Sequence, residues 1–149
     1  MGGLPINSVA GIKLMNDEPI AVLADKTASG LIVSMTYGET IAKGDLLYFS
    51  GGKVYRADLE GISTHYYPVM GLALADAGSG STNNVLLHGV YRDDSRYGFT
   101  VGGVVYLSTA GTETQAQPTA QDNVIQVVGI AIHADRIYFN PSPDYITHV

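Results

Sequence analysis

Two stretches of this sequence carry the same pattern at one fixed distance, and that repeat narrows the fold more than any other feature. Gly44-Asp-Leu-Leu-Tyr-Phe-Ser50 lines up with Gly102-Gly-Val-Val-Tyr-Leu-Ser108, and Val69-Met-Gly-Leu-Ala-Leu74 lines up with Val127-Val-Gly-Ile-Ala-Ile132. Both matches need an offset of 58 positions (102 − 44 and 129 − 71). Identities fall at Gly44/Gly102, Tyr48/Tyr106, Ser50/Ser108, Gly71/Gly129 and Ala73/Ala131, with apolar residues matching apolar ones between them. Self-similarity at a constant spacing marks a supersecondary unit used more than once. Each unit reads as strand, loop, strand. Glycine and alanine within the second strand leave room for something bulky opposite or mark a barrel corner, and Tyr48 and Tyr106 are the expected occupants of that room. Two such units close into one pseudo-symmetric body without exposed sheet edges.

The rest of the chain supports an all-β reading: a small β-barrel or sandwich built by internal duplication, with an N-terminal arm. Short apolar runs alternate with glycine-rich or polar turns, and helical periodicity is scarce. Strands are expected at Val9 to Met15, Ile20 to Ala24, Leu31 to Tyr37, Asp45 to Ser50, Lys53 to Ala57, Pro68 to Ala75, Val85 to Tyr91, Phe99 to Ser108, Val124 to His133 and Arg136 to Asn140. Leu31, Val33, Met35 and Tyr37 share one face of their strand; Val124, Gln126, Val128, Ile130 and Ile132 share one face of theirs. Asp45 to Ser50 is apolar on both faces, which predicts a central or covered strand. Gly51-Gly52 supplies the positive φ of a two-residue hairpin. Residues 76–84, small and polar, read as a loop with a mobile tip. At 149 residues one domain is expected: an arm at 1–19, a barrel at 20–143 with repeat units about 40–91 and 98–140, and a tail at 144–149.

Composition bears on function mainly by exclusion. The net charge is −6 and no Lys/Arg cluster occurs, which argues against nucleic-acid binding through phosphates. No apolar run approaches the roughly 20 residues of a membrane helix, no signal peptide is expected, and Met1-Gly2 lacks the Ser or Thr that myristoylation wants, since the sixth residue is Ile6. The absence of cysteine removes disulfides and thiolate chemistry. Charged residues are only 15% of the chain, against a usual share of about 25%. Such a share fits a surface largely covered by partners, and it fits a compact Ser/Thr-rich β-domain equally well.

No catalytic, cofactor-binding or metal-binding residues are expected. His65, His88, His133 and His148 stand at no metal-ligand spacing, and Ser50, His88 and Asp76 make a triad only on paper, without a nucleophile elbow. Asp93-Asp94 with Ser95 reads as a solvated turn more readily than as a calcium site. The loop at 76–84 has glycines but no lysine and no following helix, so it is not a phosphate cradle. Ten tyrosines with no tryptophan suit contact surfaces, because tyrosine joins a large ring to a polar tip; ordinary half-buried sheet tyrosine is the alternative for each. Tyr66, Tyr67, Tyr91, Tyr97 and Tyr145 lie near loops and are the candidate interface residues.

The strings Gly102-Gly-Val-Val-Tyr-Leu-Ser-Thr-Ala-Gly111, Gln117-Pro118, Val127-Val-Gly-Ile-Ala-Ile132 and Arg136-Ile-Tyr-Phe-Asn-Pro141 resemble the duplicated β-domain of phage capsid decoration, or cement, proteins and head fibres. The resemblance covers roughly Thr40 to Pro143. In the first half, Glu60 to Tyr67 replaces the usual polar stretch and the loop at 76–84 is longer than its counterpart. The resemblance implies a non-enzymatic virion protein, made in the host cytoplasm and placed on the outer capsid surface. It also implies multivalent docking on the major capsid protein or another virion protein, as a homotrimer. The alternative is a tail-fibre or receptor-binding module that recognises host-surface glycan.

Overall fold

The computed structural model describes residues 23–60 and 66–149. The expected arm at 1–19 and the strand at Val9 to Met15 lie outside the described residues, as does His65. Every regular element among the described residues is a β-strand. In chain order these are β1 (Ala28–Tyr37), β2 (Leu46–Ser50), β3 (Lys53–Arg56), β4 (Gly71–Ala73), β5 (Thr82–Arg92), β6 (Val104–Leu107), β7 (Glu113–Thr114), β8 (Val124–Ile125), β9 (Val127–His133), β10 (Arg136–Phe139) and β11 (Ile146–Thr147).

β5 organises the sheet. β1 runs antiparallel along one of its edges, while β4 and β10 share the other. β1 also pairs in parallel with β3, so the hydrogen bonding passes β1–β3–β2–β4–β5 and returns to β1. From β5 the sheet continues outward through β10, β9, β6 and β7. The result is a barrel-like ring joined edge to edge with a second sheet.

This arrangement explains why β2 is apolar on both faces. Leu47 joins Tyr37, Ile41, Val54, Ala73 and Val85 in one cluster drawn from the ring strands and the segment after β1. Leu46 points the other way, into a larger cluster where Leu72, Leu86 and Tyr91 meet Val105, Leu107, Val128, Ala131, Ile137 and Phe139 of the second sheet. Adjacent residues on a strand face opposite sides, so a strand between two cores must be apolar at every position. Burying each such leucine contributes roughly 1.5–3 kcal/mol.

The two halves share a register. Leu46 stands opposite Leu72 and Leu47 opposite Gly71; Val104 stands opposite Ile130 and Val105 opposite Gly129. Each of these four pairs carries the 58-residue offset to its counterpart. The glycines have a common steric reason. A Cβ on Gly71 would lie 2.6 Å from Val85 Cγ1, and one on Gly129 would lie 2.3 Å from the Tyr138 carbonyl oxygen and 3.0 Å from Ile137 Cγ1. The room left by glycine is therefore taken from β5 and β10. Tyr48 and Tyr106, the expected occupants, are elsewhere: Tyr48 stacks between Tyr55 and Tyr67, and Tyr106 stands opposite Thr114 and Val127.

The Gly51-Gly52 hairpin forms as expected, with φ of 56° and 77° and Ser50 opposite Lys53. Other expectations are corrected. β1 starts at Ala28, three residues early, because Gly30 and Gly89 face each other and let the two backbones close; a Cβ on Gly30 would sit 2.1 Å from the His88 carbonyl oxygen. Opposite Leu31 and Ile32 the register slips at Leu87, an extra residue in β5; Leu31 is exposed, while Val33, Met35 and Tyr37 keep their common inward face. The strand expected at Val124 to His133 breaks at Gln126 into β8 and β9, and an extra residue in β9, Val128, opposite β6, leaves Ile130 outward while Val128 and Ala131 are buried. The strand expected at Pro68 to Ala75 shrinks to Gly71–Ala73. The loop at 76–84 is tied down: Ile41 bridges Ala77, Gly80 N donates to Tyr37 O at 2.8 Å and Ser79 Oγ donates to Gly38 O at 3.1 Å. Its last residues already belong to β5.

Candidate interface

The corner between the halves, Arg92 to Arg96, carries the buried carboxylate of Asp93. Asp93 Oδ1 accepts from Lys26 Nζ (3.1 Å), Ser95 Oγ (2.9 Å) and the backbone N–H groups of Ser95 and Arg96, while Oδ2 accepts from Tyr91 Oη (3.1 Å). Burial opposes its charge, but the bonds from Ser95, Lys26, Tyr91 and Arg96 prevail and hold its pKa below the ordinary carboxylate value. Its oxygens thus accept five hydrogen bonds from within the chain. Arg96 reaches the other way, to Glu113 at 2.9 Å, Asp45 at 3.2 Å and the Gly111 carbonyl at 3.0 Å. Glu113 is deeply buried, and desolvation pushes its pKa up despite Arg96. One guanidinium therefore fastens the start of β2 to β7, across the two halves.

Gln126 is a second fastening. It is fully buried. Its Oε1 accepts from Val69 N (2.8 Å) and from Tyr66 Oη; its Nε2 donates to the carbonyls of Val69 (3.1 Å) and Ser142 (2.7 Å). A buried primary amide with every group satisfied specifies a unique packing. A glutamine on the face that alternation assigned to the core was the one sequence signal for it.

The five candidate tyrosines separate by burial. Tyr91 and Tyr97 are core residues: Tyr91 is fully buried, and Tyr97 stacks on Phe99 and meets Tyr91 nearly at right angles. Both flank the charged corner in sequence, and both rings join the larger core cluster. Burial drives both phenol pKa values upward. Tyr66 is half-buried, held by Gln126 and by the ring of Tyr145, whose centroid lies 4.4 Å away at 66°. Tyr67 and Tyr145 reach the surface.

Around Tyr67 the surface is aromatic and apolar. The Tyr67, Tyr48 and Tyr55 rings form a continuous stack, with centroids 5.2 Å and 5.5 Å apart. Tyr55 lies against Gly38, where any Cβ would strike its ring. Tyr67 and Met70 are 39% and 38% exposed, while Phe49, 36% exposed, follows Tyr48 in β2 and so faces the other side of the strand. An ordered aromatic stack that ends at the surface suits an interaction surface. Elsewhere Leu31 and Ile130 are exposed. The histidines nearby are satisfied: His88 Nε2 and Tyr138 Oη lie 2.7 Å apart, as do His133 Nδ1 and Asp135 Oδ1.

The tail is the other exposed apolar region. β11 pairs with β8, Ile146 opposite Ile125 and Thr147 opposite Val124, and His148 exchanges backbone hydrogen bonds with Asp122 and Asn123. Its side chains gain little from this. Tyr145 is 42% exposed, Ile146 65% and Val149 fully. Ordering one residue costs about 1–2 kcal/mol and one backbone hydrogen bond returns about 0.5–1.5 kcal/mol, so the strap is held weakly by its own chain.

Against known proteins, a profile described as phage cement protein matches residues 26–136. The chain belongs to the phage cement protein family. As such it is a structural protein of the virion, associated with the capsid. No curated protein matches. Among solved structures, the chain is similar to the base of the head fibre protein gp8.5 of bacteriophage phi29, at 19% identity over 79% of this chain and 100% of that one, with a TM-score of 0.45.

Proposed function

We propose that this cement protein docks on the outer face of the capsid as a homotrimer and bridges neighbouring shell subunits, with the Tyr67 patch as its contact surface. The observation that carries the reading is the three-tyrosine stack, which ends at the exposed ring of Tyr67 on a chain with few charges. Large rings already ordered by stacking lose little freedom on binding, so their burial goes mostly into affinity. Three copies of a modest patch on one body then hold far more tightly than one. A shell clamped at several points resists the separation of its subunits. The glycan alternative has less to stand on, because both faces of the central ring, Tyr48, are already covered.

The test is reconstitution on particles that lack this protein. Wild-type protein is expected to saturate the shell at a fixed copy number and to raise the temperature at which the particles release their genome. Tyr67→Asp is expected to bind at least about 30-fold more weakly, the loss of one hot-spot residue. Unchanged binding by that variant would move the contact elsewhere on the molecule.

A further inference from the structure

We infer that the C-terminal strap, Pro143 to Val149, is exchanged between copies, each strap pairing with β8 of the neighbouring chain; this rests on the homotrimer reading. The structure identifies what the strap recognises. Its partner is the β8 edge, through Ile146 opposite Ile125, Thr147 opposite Val124 and the His148 main-chain bonds to residues 122 and 123. Every copy carries that edge, so a second copy offers the same bonds in the same register. What one chain cannot offer is cover for the strap's apolar side chains. Tyr145 meets its own Tyr66 ring but stays 42% exposed, and Ile146 and Val149 are 65% and fully exposed; a seam between copies is where they would be buried.

The point of departure is also visible. The last residue of the tail held from the core is Ser142, whose N–H donates to Val127 O (3.0 Å) and whose carbonyl accepts from Gln126 Nε2 (2.7 Å). Beyond it, Pro143 favours extended backbone. The four steps along the chain from Ser142 to Ile146 span up to about 14 Å, enough to cross a seam and not enough to reach a distant subunit. Exchange of an identical element is a low-cost route to assembly, and passing it head to tail round a three-fold axis closes the ring. In that ring Tyr145 would meet the neighbour's Tyr66 in place of its own.

The absence of cysteine makes the test clean. Paired positions across antiparallel strands lie close enough for a disulfide, so Ile125→Cys combined with Ile146→Cys is oxidised and run under denaturing, non-reducing conditions. A species of three chain masses is expected. A single chain mass from protein whose native mass is trimeric overturns the exchange and leaves the homotrimer reading standing. Wild-type protein that stays monomeric at micromolar concentration overturns both. Should the double variant fail to fold, chains carrying Ile125→Cys alone and chains carrying Ile146→Cys alone are refolded together. The expected product is their mixed disulfide, and its absence from trimeric protein again refutes the exchange.

Discussion

The first and second halves of the chain differ least where they are buried and most at their edges. At the centre, Leu46–Leu72 and Leu47–Gly71 repeat as Val104–Ile130 and Val105–Gly129. At the margins they part. The first half ends in an eleven-residue β5 and closes through β1 into a ring; the second ends in a four-residue β10, a two-residue β7 and the strap. Pairing at the centre is fixed by packing on both sides, which punishes any slip of register. Edges carry no such constraint. It is there that this molecule keeps its exposed rings and its exposed tail.

Substitution at the two matched glycines tests that comparison most directly. Gly129→Ala is expected to cost about 3–4 kcal/mol, because its Cβ meets the Tyr138 carbonyl and the backbone itself must shift. Gly71→Ala should cost about 1–2 kcal/mol, since the obstacle is a valine methyl. Urea denaturation of both variants measures the difference, and equal costs would break the asymmetry.

The corner that joins the halves comes next. Asp93→Ala should destabilise by about 3 kcal/mol, leaving Lys26 and Tyr91 without their partner. The pH dependence sharpens this. The native pKa of Asp93 is depressed, so its stabilisation is present above the ordinary value of 3.8 and is lost as pH falls through the lower native value. The cost of Asp93→Asn should therefore shrink below about pH 4. Glu113 has the opposite sign: its native pKa is raised above 4.5, so the proton is held more tightly when folded. The stability this brings is present at low pH and is lost as pH rises through the native value. Glu113→Gln should accordingly become relatively less costly as pH rises above about 4.5, whereas the cost of Asp93→Asn changes only below about pH 4. Melting curves taken on both sides of pH 4 would show the two separate windows, and a common window would refute them.

Gln126 occupies the position that the 58-residue offset matches to Pro68, and it reaches over to clasp the adjacent Val69. Gln126→Ala is expected to cost about 1–3 kcal/mol by stranding a buried N–H and carbonyl, and amide exchange at Val69 N should accelerate. The smallest effect is reserved for the edge. Tyr67→Asp should change stability by no more than about 1 kcal/mol while weakening particle binding, which would separate the docking surface from the core that carries it.

Much of this was legible in the residues. The strand class, the Gly51-Gly52 turn, the two-faced burial of β2 and the need for room at Gly71 and Gly129 all follow from local rules of period and sterics. The extra residues at Leu87 in β5 and Val128 in β9 were not legible, because a single inserted residue shifts inside and outside without altering composition. Nor was the fate of the tyrosines. Tyr91 and Tyr97 look as loop-bound as Tyr67, yet the corner folds their rings inward and leaves Tyr67 outside.

By itself the sequence determined that the chain would form short strands and where they would turn, because these depend on neighbours a few residues away. Only the tertiary structure decided that Arg96 would reach both Asp45 and Glu113, that Gln126 would clasp Val69, and which aromatic rings would meet water. The Arg96 and Gln126 contacts join residues 17 to 57 positions apart, and no local rule reaches that far.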